Sequence, residues 1–340
     1  LVDAREVVLM AMGKFVSLVI LSVAIPAAVA QHGMLLVAQK GDQSLALVDP
    51  ESGKRIASVA ENGITGHEVT ASPDGRFAYV PIYGNSGVGK PGTDGQNMVV
   101  IDLAARKIVG NVDFGHPVRP HLPAFGPKDG MLYVSTELDH TISIIDPKTL
   151  KIIGSIPTGQ PESHMFVLSH DGRRGYTANV GPGTVSVLDI AARKTLTVIP
   201  ISGNTQRISI SPDDHWVFTA DQTQPRMAVI DTTSDKVKNW IPMTSVGYGS
   251  TPTADGGWLL VALERTNQVA VIDLSTMKVA HTIDVCADPQ EIVENPDGKR
   301  AYVSCMAADK VAEFDLNTWK VTREIATGKT TDGLAWAAGH

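Results

Sequence analysis

The stretch IIDPKTLKIIGSI (144–156) returns along the chain as VIDLSTMKVAHTI (271–283) and EFDLNTWKVTREI (313–325), each time two apolar runs joined at an aspartate-led polar turn. Seven such aspartates, Asp49, Asp102, Asp146, Asp189, Asp231, Asp273 and Asp315, are separated by 53, 44, 43, 42, 42 and 42 residues. Between them recur SPDG (72–75), SHDG (169–172), SPDD (211–214), TADG (253–256) and NPDG (295–298), the chemistry of tight hairpin turns, where Asp and Gly tolerate left-handed backbone. Runs rich in β-branched and aromatic residues follow these turns, so each unit holds four short strands. A period in the low forties with four strands per unit predicts an all-β, seven-bladed β-propeller in which each blade buries its faces against two neighbours.

The two ends predict how the ring closes. TTDGLAWAAGH (330–340) has the pattern of an innermost strand with nothing after it, while MLLVAQ (34–39) and SLALVD (44–49) have that of second and third strands. One shared blade then completes the ring and removes free sheet edges. Residues 31–340 are expected to form this single domain. Residues 1–30 are read as upstream residues followed by a secretory signal, with Lys14, an apolar run from Phe15 to Ile25 and a small-residue cleavage site at Ala28-Val29-Ala30. That run is too short to span a bilayer, which takes about twenty residues. The expected setting is the periplasm or the exterior, with no membrane contact after cleavage.

The formal charge of −7 argues against nucleic acid as a partner. In an exported chain Cys286 and Cys305 suggest a disulfide, with two free thiols or a soft-metal site including Met306 as alternatives. No Cys-x-x-Cys-His is present, which excludes covalent c-type haem. The expectation is no haem and no nucleotide: GVGKPG, within YGNSGVGKPGTDGQN (83–97), lacks the spacing of a phosphate-binding loop.

The strand-turn units carrying YVP (79–81), YVS (133–135), YTAN (176–179) and YVS (302–304), followed by TVSVLD or QVAVID, resemble the YVTN-type β-propeller repeats. The resemblance covers essentially all of 31–340. It implies the seven-bladed fold and a choice among lactonases, lyases, cofactor-handling proteins and binding scaffolds, because fold does not fix chemistry. It also implies that a histidine entering an innermost strand can be repeat consensus.

Structurally equivalent positions at the start of each innermost strand are held by His67, His121, His164, Gln206, Tyr248, Gln290 and Asp332. They are expected to ring one mouth of the central channel. Three histidines from consecutive blades suit a divalent, zinc-like transition metal with an open position for hydrolytic chemistry. Glu68, beside His67, is a candidate ligand or general base. Arg207 and Glu291, one step on from the ring, are candidates for anion binding and proton transfer, with Tyr248 and Asp332 completing the wall. Asp42, Glu137, Asp139, His140, Asp221, Glu264 and Arg265 are read as solvated rim residues. His116 is expected to pack between blades and Trp336 to line the channel.

Two functions follow. One is a metal-assisted hydrolase or lyase acting on a small lactone, ester or phosphoester-like substrate. The other is a non-catalytic propeller that presents the 83–97 loop to a protein or glycan partner. A monomer is expected, since a closed ring already buries its edges.

Overall fold

Seven four-stranded antiparallel sheets make up the computed structural model, which describes residues 33–339. The upstream and signal segments assigned to residues 1–30 lie outside the described residues. The fourth blade is representative, with strands Ser163–Leu168, Arg174–Asn179, Thr184–Asp189 and Lys194–Pro200 running from the channel outwards. The chain closes on itself as its ends foretold: Thr331–Ala337 pairs with Met34–Gln39, placing Leu334 opposite Val37 and Ala337 opposite Met34. The first blade thus contains the first and last strands of the described residues.

The repeated aspartates act locally. The carboxylate Oδ1 of Asp146, Asp273 and Asp315 accepts the backbone N–H of the residue two positions on, at 2.8–3.0 Å, which folds the chain into the turn between third and fourth strands. Four positions after each aspartate the backbone is left-handed, at Gly53, Arg106, Leu150, Arg193, Asp235, Met277 and Trp319. Only one of these is glycine. The aspartate bond and the strand pairing on either side hold side-chain-bearing residues in that conformation, which is why the period was legible without a glycine signature.

Adjacent blades are joined by apolar layers. Leu36, Leu45 and Leu47 of the first blade pack with Val80, Val99 and Ile101 of the second, and equivalent clusters lie at the other seams. The alternation of strand residues puts these side chains on both sheet faces. Cys286 and Cys305 form a disulfide in the seventh blade, with Cα atoms 5.6 Å apart. Trp336 does not line the channel; its ring stacks on Tyr302, 6.2 Å between centroids. His116 is exposed and bonds Asp139 at 2.8 Å rather than packing between blades. Among the described residues no helix is long and apolar enough to cross a membrane.

Candidate functional site

All seven ring residues line one cavity of about 250 Å³ at a channel mouth, joined by Lys40, Tyr83, Arg207, Glu264, Met306 and the loop residues Ser86, Gly87 and Val88. They meet because each enters an innermost strand at the same register, and the innermost strands are the ones closest to the axis. The long 83–97 segment becomes two extended strands, Phe77–Gly84 and Asp94–Asp102, and a nine-residue connection that lies over the mouth.

Arg207 occupies the centre of this mouth and is almost wholly buried. Its Nη1 donates to Glu68 Oε1 and to Glu291 Oε2, each at 2.6 Å, and Nη2 lies 3.5 Å from Asp332 Oδ1. Lys40 Nζ approaches the other Asp332 oxygen at 3.2 Å. Burial pushes the pKa of Glu68 and of Glu291 up, with Arg207 opposing, whereas Lys40 and Arg207 outweigh burial at Asp332 and hold it below its usual range. Arg207 and Lys40 together face three largely buried carboxylates and cannot compensate three full charges, which accords with the raised pKa of Glu68 and Glu291. Glu68 and Glu291 therefore brace Arg207 and stand behind the cavity wall.

The histidines form a packed group. The rings of His121 and His164 lie 3.6 Å apart between centroids and tilt by 32°, and His67 meets His121 edge-on at 5.6 Å. Burial, the largest cause, lowers the pKa of all three, that of His67 to about 3, so the imidazoles are neutral at physiological pH. His121 Nδ1 is sealed from solvent without a hydrogen-bond partner.

The expected zinc-like centre is corrected by this geometry. Ion ligation uses lone pairs in the ring plane, whereas His121 and His164 meet through their faces, and His164 Nδ1 is already engaged. Among the described residues no group of three or more His, Cys, Asp or Glu is arranged to hold a metal ion.

Glu137 is the residue that sequence reading missed. Read as a solvated rim group, it is 1% exposed, and its Oε2 accepts from both His164 Nδ1 at 2.9 Å and Tyr83 Oη at 2.8 Å. Arg119 Nη1 donates to Oε1 at 3.1 Å. Burial alone would raise the Glu137 pKa, but the bonds from His164, Tyr83 and Arg119 prevail and keep it below its ordinary value. An ionised carboxylate so placed fixes the Nδ1–H tautomer of His164 and leaves Nε2 as a free base. Asp221, also read as rim, is fully buried and bonds Arg226 at 2.8 Å. On the far wall Gln206 Nε2 donates to Tyr248 Oη at 2.9 Å, leaving the phenolic proton available, and Arg207 lies over the Tyr248 ring at 4.8 Å.

The family model of the cytochrome d1 haem domain matches residues 126–255. No curated protein sequence matches the chain. Among solved structures, the fold is similar to the periplasmic gluconolactonase PpgL of Pseudomonas aeruginosa, with 16% identity over 91% of this chain and 99% of that one and a TM-score of 0.72. It is similar also to Kuenenia stuttgartiensis hydrazine synthase, with 17% identity, 89% and 99% coverage and a TM-score of 0.72. A third is dihydro-haem d1 dehydrogenase NirN in complex with DHE, with 15% identity, 93% and 78% coverage and a TM-score of 0.66. At these identities the likeness is one of fold. The comparisons support a seven-bladed propeller, and the family model that matches is not of the YVTN type.

The haem-domain match overturns the expectation of no haem. That expectation leaned on the missing Cys-x-x-Cys-His, which is needed only for covalent attachment. Haem held through axial ligands leaves no such signature.

Proposed function

We propose that the channel mouth is a small-molecule site that works by general acid–base chemistry of the hydrolase or lyase kind, with a lactone or simple ester as the substrate class. The observation that carries this reading is the Glu137–His164 pair at 2.9 Å, a neutral imidazole oriented by an ionised carboxylate. In the hydrolytic form His164 Nε2 takes a proton from water, whose oxygen adds to the substrate carbonyl carbon. Tyr248 Oη and Lys40 Nζ supply donors for the oxygen that gains charge. His164 then returns its proton to the departing alkoxide. No metal enters this scheme. The likeness to a gluconolactonase fold supports the substrate class, and the disulfide supports an oxidising compartment such as the periplasm.

The test is turnover of an aldonolactone and aryl-ester panel by chelator-treated protein, comparing wild type with His164→Gln and Glu137→Gln. Turnover that falls about 10²-fold or more in both variants supports the reading. No turnover by wild type, or equal rates in His164→Gln, defeats it.

A second reading is favoured by the matched span itself, because residues 126–255 contribute Glu137, His164, Gln206, Arg207 and Tyr248 to this one site. In this reading the mouth binds an iron tetrapyrrole of the haem d1 kind. The neutral donors fit iron, and the unpartnered His121 Nδ1 is the residue that would hold it. A bound haem would supply iron-centred electron transfer. Titration with ferric haem, read by its visible absorbance in wild type and in His121→Ala, tests it; identical spectra for the two proteins reject His121 as a ligand.

A further inference from the structure

The connection over the mouth is tied down chiefly by one side chain. Arg119 Nη2 donates to Lys90 O at 2.7 Å, Nη1 to Gly87 O at 3.2 Å, and Nε to Asp94 Oδ1 at 2.7 Å. Among the described residues, the only other side chain from outside residues 85–93 that bonds them is Asp94, at the head of the following strand and itself held by Arg119. Asn85 Oδ1 accepting from Thr93 N at 2.7 Å is internal to the connection, and the Asp94 carboxylate accepts from Ser86 Oγ at 3.0 Å. Ser86, Gly87 and Val88 form part of the cavity wall, so this tip lies against the cavity.

The same guanidinium bonds Glu137, which in turn bonds His164 and Tyr83. Arg119 is 6% exposed and sits at a left-handed φ of 48°, a conformation uncommon outside glycine, held by its own N–H and that of Val118 on Gly95 O. Backbone and side chain therefore both commit it to the segment from Gly87 to Gly95.

We propose that residues 85–93 are a lid over the site and that Arg119 is its latch, acting also as a positioning residue for the Glu137–His164 pair. This inference rests on the acid–base reading of that pair. A lid opening pulls the Gly87 and Lys90 carbonyls from the guanidinium, loosening its hold beside Glu137. Closure over an occupant restores the arrangement that orients His164. The site is thus assembled only when covered, which keeps bulk water from the base until a substrate is enclosed.

The test needs no turnover. Arg119→Gln is expected to speed amide exchange across residues 85–93 about tenfold or more, the effect of losing several charge-assisted hydrogen bonds. The His164 ring, followed by NMR, is expected to titrate at higher pH, because a cation has left Glu137. Arg119→Lys keeps the charge without the fork and is expected to free the lid with the His164 titration close to wild type. Exchange in 85–93 equal to wild type in both variants overturns the latch, and an unmoved His164 titration in Arg119→Gln overturns the positioning role. If Arg119→Gln does not fold, the lysine variant decides the latch: fast lid exchange upholds it and wild-type exchange overturns it. Unchanged turnover in His164→Gln would instead defeat the acid–base reading and leave the lid measurements intact.

Discussion

Arg207 Nη1 stands 2.6 Å from Glu68 Oε1, although the two residues are 139 positions apart and come from the fifth and second blades. Through Glu291 and Asp332 the same guanidinium also engages the seventh and first blades. A propeller is held mainly by contacts between neighbours. Here one side chain reaches beyond its neighbours through the middle of the ring.

Removing this cation strips Glu68 and Glu291 of their cationic partner and leaves Asp332 with Lys40 alone. Arg207→Ala is therefore expected to lower the unfolding free energy by about 3–5 kcal/mol, the range for breaking a buried ion pair from one side. The triple variant Arg207→Met, Glu68→Gln, Glu291→Gln is expected to recover most of it, because no uncompensated charge then remains. Urea unfolding of the two proteins checks both statements, and equal losses would show that packing and not charge is at issue.

Acid sensitivity follows from the neutral histidines. His67 falls from 6.5 to about 3 on burial, so between those values the unfolded chain binds a proton that the folded chain refuses. Its contribution to stability is whole above pH 6.5 and is lost progressively as the pH falls toward 3. Glu68 and Glu291, whose pKa values are raised, act with the opposite sign: their contribution is whole below about 4.5 and is lost as the pH rises through their folded values. His67→Gln is expected to shrink the fall in Tm between pH 7.5 and 5 relative to wild type. A fall of the same size in the variant would remove His67 as a source of the slope.

How much of this was legible in the sequence depended on whether a residue shares the repeat. His67, His121, His164, Gln206, Tyr248, Gln290 and Asp332 occupy one register position, so counting along the repeat is enough to group them around one cavity. Glu137, Arg119, Lys40 and Tyr83 have no such register. Glu137 follows a second strand in a polar TELDH segment that reads like any exposed turn. It is buried only because His164 of the next blade, Tyr83 of the previous one and the Arg119 side chain close over it. Those are long-range contacts, and periodicity carries no trace of them. The metal expectation failed for a related reason: spacing can bring three imidazoles together, but whether they meet by edge or by face is set by rotamers and by partners such as Glu137.

Tyr248 gives a separate handle on the site. With Gln206 donating to its oxygen at 2.9 Å, the phenolic proton is left for a ligand, and burial, the main cause, raises its pKa so that it stays protonated. Tyr248→Phe is expected to lower kcat about 10²-fold on any lactone or ester that wild type turns over, with KM changed little, as for loss of one oxyanion donor. A rise in KM at constant kcat would make Tyr248 a ground-state contact.

The Cys286–Cys305 disulfide fastens the entry to an innermost strand to the end of the strand beside it, across a sequence separation of 19. Gln290, on that innermost strand, and Met306, next to Cys305, both line the cavity, so the bridge stiffens the seventh blade's share of the mouth. Closing a loop of this length restricts the unfolded chain and is worth about 3 kcal/mol in the chain-entropy account. The double variant Cys286→Ser, Cys305→Ser is expected to lose about that much in urea unfolding and to become insensitive to reductant, while wild type treated with dithiothreitol falls to the same level. Faster amide exchange should appear first in residues 286–290, where the strand would no longer be anchored at its start. If the variant matches oxidised wild type in stability and exchange, the pairing of Pro289 with Cys305 in the sheet already fixes this corner and the bridge adds nothing to it.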